Sequence, residues 1–419
     1  MARLDIEIET RKMLKPSAPT PDNLRTLKLS LFDQLARSAY VAVLFNYLPN
    51  STSSYNHDEL EKSLAETLTK FYPFAGRFGK DDPFSIDCND EGVEYVQTKV
   101  NAHDLAKFLS KAAADNNNNN IESSLLHLLT IIDHQPSSPS SPLLGVQVNV
   151  FNNGGISIGI QISHIVADAF TLATFVNEWA HTNMPQDNDD DNNYLPSFGQ
   201  LLSLFPARVI QLPSFDPNTL TSTCTTNVTK RFVFDALEIE NLKKKTIKED
   251  STMMRQPTRL VVVMSLLWKV LAHISSDKNN GNSRDSFFGF VMCLRGRIPS
   301  LERVVGTFSI PEIANTEGGE YELNDFVKLI GNRIGETCAA IGKASKSVDD
   351  ISSLTINNQI KILEKILQRD KIDIYGTTSW CKYPWYEADF GWGKPFWVSP
   401  VSVGIHELII LMDTNMEME

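Results

Sequence analysis

Hydrophobic residues recur along this chain with two different periods, and the places where the period changes mark the ends of the predicted elements. Apolar residues occupy every second position in Val146–Val150 and again in Ile156–Ile162, which predicts two β-strands. The Asn-Asn-Gly-Gly sequence at Asn152–Gly155 is typical of a hairpin turn between them. From Ala169 the apolar positions follow the helical period. The segment His164–Asp168 therefore lies at a predicted junction between a strand and a helix.

Other segments predict further helices and strands in alternation. Leu27–Ala36 predicts a short strand or turn that leads into a helix, and Ala39–Leu48 predicts a buried strand. Asp58–Phe71 predicts a helix that begins near Asp58 and ends before Pro73. Further predicted elements are a strand at Lys230–Asp235, helices at Thr258–His273, Asn324–Lys343 and Asn357–Gln368, and an apolar central strand at Val398–Met412. This mixture predicts an α/β fold.

The chain of 419 residues is long enough for two domains of about 200 residues each. The stretch 195–229 is rich in Pro, Ser and Thr and has no sustained periodicity, so it is the best candidate for a connection. We expect a first domain at residues 1–197, a crossover linker at 198–229 and a second domain at 230–419. The polar runs Asp115–Asn120 and Pro185–Asn193 are predicted to be solvated loops.

The net charge and the cysteines indicate which partners and which compartment to expect for the protein. A formal charge of −12 disfavours nucleic acid or an anionic membrane as a partner. The five cysteines are scattered without a CxxC pair, which favours reduced thiols in the cytoplasm. The first residues are acidic where a secretory signal would be apolar, and no segment approaches ~18 continuous apolar residues. We therefore expect a cytoplasmic protein that does not span a membrane.

His164 is the first candidate for chemistry. A side chain at the end of a strand is held still, while the following turn can open it to a cleft. Histidine has an unperturbed pKa of ~6.5, so such a residue can take a proton from an alcohol near neutral pH. Asp168 can orient the imidazole, cap the helix or pair with an arginine. On residue chemistry alone, a structural histidine remains the favoured alternative.

Several other kinds of site find no support in the sequence. The remaining histidines (57, 103, 127, 134, 181, 273 and 406) do not show a two-histidine helical spacing beside acidic ligands, so no metal site is expected. A GxSxG elbow for a serine hydrolase does not occur. Neither GxGxxG nor GxxxxGK[ST] occurs, which removes most of the support for a nucleotide cofactor.

The interpretation changes when two motifs are considered together. His164–Asp168 has the form HxxxD before a helix, and Asp389–Gly393 reads DFGWG far downstream. In this order and separation they resemble the plant BAHD acyltransferase family, and specifically its alkaloid-type branch. Segments along nearly the whole chain share this resemblance, among them LSLFDQ (Leu29–Gln34), YPFAGR (Tyr72–Arg77), DCNDEGV (Asp87–Val93), KRFVFD (Lys230–Asp235) and TSWCKYPWYEADFGWGKP (Thr378–Pro395).

The resemblance implies a fold, a co-substrate and an activity. The fold would be two related domains of mixed β-sheet with helices, similar to chloramphenicol acetyltransferase, with the active-site channel between them. Acyl-coenzyme A, with acetyl favoured, would enter from one face as co-substrate, and a small-molecule alcohol would enter from the other. The protein would be a monomer without a tightly bound cofactor. The expected function is O-acylation of a plant specialised metabolite such as an alkaloid or terpenoid.

The resemblance also implies roles for particular residues. His164 would act as general base in a direct transfer without an acyl-enzyme. Asp168 and Asp389 are grouped with it as catalytic candidates, although the family pattern has Asp168 pair with Arg295 and Asp389 brace a loop. Thr378 and Trp380 would donate hydrogen bonds to the oxyanion. The rest of the structural motif consists of Phe390, Gly391, Trp392 and Gly393.

Two alternative functions and several departures from the family pattern accompany this prediction. The same base and channel would serve an N-acyltransferase, and a non-catalytic binding relative would keep the fold. Ala169 replaces the common glycine after HxxxD, and Cys293 and Gly306-Thr307 replace family residues in a way expected to loosen local hydrogen bonding. The sequence ends soon after Leu411–Thr414, which predicts an exposed sheet edge beside Val398–Met412.

Overall fold

The computed structural model describes residues 4–36, 38–50, 55–101, 104–114, 125–130, 138–184, 196–211, 213, 229–249, 256–298, 301–344, 348–368, 371–401 and 408–414. The predicted loops at Asp115–Asn120 and Pro185–Asn193 lie outside these residues, as do residues 214–228 of the predicted linker.

Strands and helices are mixed along the described chain. The strands are β1 (Ile6–Leu14), β2 (Thr26–Lys28), β3 (Tyr40–Tyr47), β4 (Arg77–Phe78), β5 (Ser85–Asp87), β6 (Val93–Val100), β7 (Leu144–Phe151), β8 (Ile156–Ser163), β9 (Ser286–Cys293), β10 (Ser309–Thr316), β11 (Asp373–Ser379), β12 (Trp397–Val401) and β13 (Leu408–Leu411). The helices are α1 (Leu31–Leu35), α2 (His57–Lys70), α3 (Leu105–Ala114), α4 (Ala169–Asn183), α5 (Gly199–Leu204), α6 (Ala236–Glu249), α7 (Arg259–Lys278), α8 (Leu323–Ala344) and α9 (Val348–Ile366).

The larger sheet has the strand order β1-β6-β7-β8-β3-β12 and is mixed, because β6 and β7 are parallel while the other neighbours are antiparallel. The strands β3 and β8 lie side by side and are buried at every position. One face of the sheet packs against α2 and α4, whose Leu64, Phe175 and Trp179 are fully buried with Phe45 and Ile160 of the strands. Burial of each such side chain contributes about 1.5–3 kcal/mol.

The second sheet has the order β10-β9-β11-β13, in which β9, β11 and β13 run parallel and β10 antiparallel to β9. Its core contains Trp268 of α7, Phe326 of α8 and Ile351 of α9. Among the described helices, α7 alone is long and apolar enough to cross a membrane by length and composition. Val261 and Trp268 of this helix are buried in the second core, and 33% of its apolar stretch is buried in the protein.

The two cores exchange segments across the predicted domain boundaries. Strand β12 pairs with β3 in the larger sheet, and Phe390 and Trp392 are buried in the first core although they lie in the predicted second domain. In the other direction, Phe32 and Phe205 are buried in the second core. Cutting the chain at residues 197 and 230 would therefore break both cores.

Most of the predicted elements are confirmed. The hairpin is formed by β7 and β8, with Val146 opposite Ile160, and α4 begins at Ala169. The segment before β3 forms β2 and then α1, whose N-cap Ser30 makes a capping box with Asp33. The four described cysteines, Cys88, Cys293, Cys338 and Cys381, are free thiols, as expected.

Two predicted strands are wrong. Lys230–Asp235 is irregular, and its Phe232 and Val233 are exposed, because apolar residues alone do not provide a neighbouring strand to pair with. Val398–Met412 is not one central strand, since it contributes β12 to an edge of the larger sheet and β13 to an edge of the second sheet. The apolar composition of a segment does not show which sheet it joins.

Candidate active site

His164 occupies the turn between β8 and α4, where the sequence placed it. Its backbone N–H donates to the carbonyl of Ala39, which precedes β3, at 2.8 Å. The N–H of Val166 donates back to the carbonyl of Ser163 at 3.1 Å and closes the turn. The His164 side chain is half-buried, whereas Val166 is buried in the first core. Hydrogen bonds therefore hold the backbone at His164 and just after it, and this backbone positions the imidazole.

Asp168 lies at the N-cap of α4, where its carboxylate has two structural tasks. Oδ1 accepts a hydrogen bond from the backbone N–H of Thr171 at 2.9 Å, which caps the helix. Oδ2 accepts one from Nη1 of Arg295 at 2.5 Å and one from the backbone N–H of Phe308 at 3.2 Å. The predicted ion pair between Asp168 and Arg295 is therefore confirmed, and both of its side chains are nearly buried.

The Arg295 guanidinium also donates hydrogen bonds to backbone carbonyls and to a hydroxyl of other segments. It donates to the carbonyl of Val304 from Nε and Nη2, and to the carbonyl of Gly306 from Nη2 at 2.9 Å. Nη2 also donates to the hydroxyl of Thr171 at 3.1 Å, and the guanidinium carbon lies 4.7 Å from the centre of the Phe170 ring. A buried arginine needs such a set of acceptors, because an unpaired buried charge is costly.

The ion pair determines the charge state of both partners. Burial by itself raises the pKa of Asp168, but the charge and hydrogen bond of Arg295, together with the hydrogen bonds from the backbone of Thr171 and Phe308, hold that pKa below its ordinary value. Burial lowers the pKa of Arg295, but Asp168 and Cys293 together raise it above its ordinary value. Asp168 therefore stays ionised, and a carboxylate committed to an arginine does not carry protons for a substrate.

Gly306 and Thr307 connect this ion pair to His164. The Thr307 hydroxyl donates to the carbonyl oxygen of His164 at 2.8 Å and lies 3.5 Å from Nδ1 of the same residue. Gly306 has φ +118°, and a Cβ there would lie 2.9 Å from a carboxylate oxygen of Asp33. Glycine is therefore required at this position. Instead of loosening the local hydrogen bonds, the Gly-Thr pair takes part in them.

Asp33 completes the cluster from the other side. Its Oδ1 accepts from the backbone N–H of Thr307 at 3.0 Å, and its Oδ2 accepts from the backbone and hydroxyl of Ser30. Burial raises the pKa of Asp33 to about 6, and the hydrogen bonds from Ser30 and Thr307 oppose that rise. A cavity of about 10 Å³ beside this carboxylate, lined also by Val166 and Gly306, is near the lower limit for one water molecule.

The segment after β11 contacts α4 in its first turn, near its middle and at its last residue. Thr378 lies on β11, and the backbone N–H of Trp380 donates to the carbonyl of Leu411 at 2.7 Å. The Tyr383 ring packs edge-on against Phe170 in the first turn of α4, at 5.5 Å between centroids. This contact brings the stretch with Thr378 and Trp380 to the end of α4 that begins next to Asp168.

The DFGWG loop reaches the opposite end of α4. The side chain of Asn183, the last residue of the helix, donates to the carbonyl of Phe390 at 2.8 Å. Asp389 Oδ1 accepts from the backbone N–H groups of Gly391 and Gly393 at 2.8 and 2.9 Å. A helix of 15 residues is ~22 Å long, so Asp389 lies too far from His164 to share a proton with it. This position does not support the grouping of Asp389 with the catalytic candidates, and its hydrogen bonds are those expected of a loop brace.

The structure therefore brings together His164, Asp168 and Arg295 and separates them from Asp389. Phe390 and Trp392 serve the core, where their rings stack at 5.3 Å. Two residues at the site were not identified from the sequence, Asp33 and Thr307. The Ser30-x-x-Asp33 spacing is a capping-box signal from which the local bond could have been predicted. The hydrogen bond from Thr307 to Asp33 joins residues far apart in the chain, which no local pattern predicts.

Comparison with known proteins gives the same picture along the whole chain. A model described as the Transferase family matches residues 4–419. Akuammiline synthase 1 of Alstonia scholaris is 34% identical over 97% of this chain and 90% of that protein. Acetyl-CoA-benzylalcohol acetyltransferase of Clarkia breweri is 34% identical over 98% of this chain and 92% of that protein. The crystal structure of vinorine synthase matches with a TM-score of 0.73 at 23% identity, over 98% of this chain and 92% of that one.

Proposed function

The chain belongs to the Transferase family of BAHD acyltransferases, and on that basis we propose that it acetylates a hydroxyl group with His164 as general base. The acyltransferase class follows from the family and from its acetyltransferase relatives. The acyl donor, the kind of acceptor and the role of His164 are the parts that we propose.

The observation that supports the base is the way His164 is held. Its backbone bonds to Ala39 on one side, and Thr307 bonds to its carbonyl oxygen on the other. Four residues later the Asp168–Arg295 ion pair fixes the start of α4. A general base contributes only when it is positioned against the proton that it abstracts, so this degree of support fits catalysis better than a structural histidine.

The proposed reaction is a direct transfer. The imidazole of His164 takes the proton of the acceptor hydroxyl while the oxygen attacks the thioester carbonyl of acetyl-CoA. The tetrahedral intermediate then breaks its carbon–sulfur bond, and the departing sulfur takes the proton from the imidazolium to give free coenzyme A. The acetyl group ends as an ester, and the histidine returns to its neutral form. No acyl-enzyme is needed.

We assign stabilisation of the oxyanion to the Thr378 hydroxyl and the Trp380 indole. The packing of Tyr383 against Phe170 supports this assignment, because it brings their segment to the first turn of α4. Preorganised donors of this kind typically contribute a factor of about 10²–10³ to turnover when they face a developing oxyanion. Asp168 and Arg295 act on the reaction only through the geometry of the junction.

The names of the related proteins indicate which substrates to propose. The Clarkia breweri protein is named for acetyl-CoA and an alcohol, and several other relatives are named O-acetyltransferases. We therefore propose acetyl-CoA as the donor and a specialised-metabolite alcohol, an alkaloid or a terpenoid, as the acceptor. We also propose that the enzyme works as a cytoplasmic monomer.

The test is an assay of free thiol released from acetyl-CoA, with mass spectrometry of the product. The acceptors are benzyl alcohol, an alkaloid alcohol, a terpenoid alcohol and benzylamine. Release of thiol with formation of an ester supports the proposal, whereas formation of an amide alone indicates the N-acyltransferase. Binding of acetyl-CoA by calorimetry without release of thiol from any acceptor would identify a non-catalytic relative.

A further inference from the structure

The Thr307 hydroxyl contacts His164 at two atoms, and this double contact has a chemical consequence. We propose that Thr307 is a positioning residue that selects the tautomer of His164 in which Nδ1 carries the proton and Nε2 is the basic nitrogen. The hydroxyl oxygen lies 2.8 Å from the His164 carbonyl oxygen and 3.5 Å from Nδ1.

The single proton of the Thr307 hydroxyl indicates which tautomer His164 adopts. A threonine hydroxyl has one proton to donate and lone pairs with which to accept. A carbonyl oxygen only accepts, so the Thr307 proton is directed to the His164 carbonyl. Towards Nδ1 the hydroxyl oxygen is then left to accept, which favours the tautomer with the hydrogen on Nδ1. In a neutral imidazole the other nitrogen, Nε2, then holds the lone pair that takes a proton.

The hydroxyl is held in this position by the same cluster that binds the ion pair. The Thr307 backbone N–H donates to Asp33, and the carbonyl of Gly306 accepts from Arg295 and from the Thr171 hydroxyl at 3.0 Å. Thr307 is buried, so water does not compete effectively for its hydroxyl. The 3.5 Å separation is long for a hydrogen bond, but contacts of catalytic groups commonly shorten as charge develops in the transition state.

The inference rests on the proposed function for its kinetic consequence, but the tautomer can be measured without turnover. Ring-¹⁵N histidine is incorporated into the full chain, and long-range ¹H–¹⁵N spectra are recorded at pH 8 without ligands. The His164 signals are identified by their loss in His164→Gln. We expect the wild type to show a protonated Nδ1 and a bare Nε2. A wild-type spectrum with the proton on Nε2 overturns the inference, whether or not the enzyme turns over.

Two variants of Thr307 then distinguish the effect of the hydroxyl from the effect of the side-chain shape. Thr307→Val removes the hydroxyl at nearly constant volume and is expected to shift the His164 signals towards the Nε2-protonated form. Thr307→Ser keeps the hydroxyl and is expected to retain the wild-type tautomer. A Thr307→Val spectrum identical to that of the wild type contradicts the proposal.

Kinetics with acetyl-CoA and the best alcohol from the thiol-release assay give the second readout. We expect kcat of Thr307→Val to fall roughly 10-fold with little change in the KM for acetyl-CoA, and Thr307→Ser to recover most of it. The matched control is Thr355→Val, which removes another buried threonine hydroxyl bonded to a backbone carbonyl, that of Ile351 at 2.8 Å, remote in sequence from the HxxxD junction. An equal loss of kcat in the control would assign the effect to general destabilisation and contradict the proposal.

Discussion

The two ends of helix α4 each carry an aspartate from a recognisable motif, and the two carboxylates are used in opposite ways. At the first end, Asp168 is nearly buried and pairs with Arg295, a residue from the second half of the chain. At the last end, the half-buried Asp389 bonds to backbone N–H groups two and four residues ahead of it. One carboxylate joins distant segments around His164, whereas the other shapes only its own loop.

This difference shows why a motif aspartate cannot be assigned a role from its residue type. A buried charge without its partner costs several kcal/mol, so the first end of α4 depends on both members of the ion pair. A carboxylate that accepts two backbone hydrogen bonds can be replaced by another acceptor of the same shape. The predictions below test this contrast, beginning with the largest effect.

Replacement of Asp168 is expected to have the largest effect on stability. Asp168→Asn leaves the Arg295 charge buried without a counter-ion and should lower the free energy of unfolding by about 3–5 kcal/mol. Denaturant unfolding followed by tryptophan fluorescence measures it. The double variant with Arg295→Met removes the orphaned charge and should recover part of the loss. If the double variant lost as much free energy of unfolding as the two single variants together, the two side chains would not act as a pair.

The stability of the junction should also depend on pH through Asp33. Its pKa is raised from 3.8 to about 6 in the folded protein, so the folded state binds the proton more tightly than the unfolded state. The stabilising contribution is fully present below pH 3.8 and is lost as the pH rises through about 6. The wild-type free energy of unfolding, relative to Asp33→Asn, should fall by roughly 3 kcal/mol across that window. A difference that stays constant or rises with pH would contradict this assignment.

Changes at the other end of α4 should have smaller effects. Asp389→Ala removes two hydrogen bonds to backbone N–H groups and should cost about 1–2 kcal/mol of stability. Asp389→Asn keeps an acceptor oxygen, so its midpoint of unfolding should stay close to that of the wild type. The matched control is Glu387→Gln, which breaks an exposed ion pair with Lys394 and should not shift the midpoint measurably. A loss of turnover in Asp389→Asn at unchanged stability would show a catalytic role after all.

The sequence predicted best what depends on local order along the chain. The alternation in β7 and β8, the hairpin turn and the change of period at Ala169 each follow from neighbouring residues, and together they placed His164 at the junction. The pairing of Asp168 with Arg295 could be predicted as well, but only through the family resemblance, because the two residues are far apart in the sequence.

The features that the sequence did not predict depend on which segments meet in space. The apolar composition of Val398–Met412 does not show that the segment divides between two sheets, and the apolar residues of Lys230–Asp235 have no partner strand. The contacts of Thr307 with Asp33 and His164 likewise join remote parts of the chain. Such contacts are determined by the tertiary fold, and periodicity carries no information about them.

The most direct measurement is the turnover of His164→Ala with saturating acetyl-CoA and acceptor, beside its melting temperature. The backbone bonds of residue 164 do not need the imidazole, so the variant should fold and melt close to the wild type. A positioned general base typically contributes about 10²–10⁴-fold, and we expect kcat to fall by that factor. A folded His164→Ala protein that acetylates the alcohol at a near-normal rate would contradict the account.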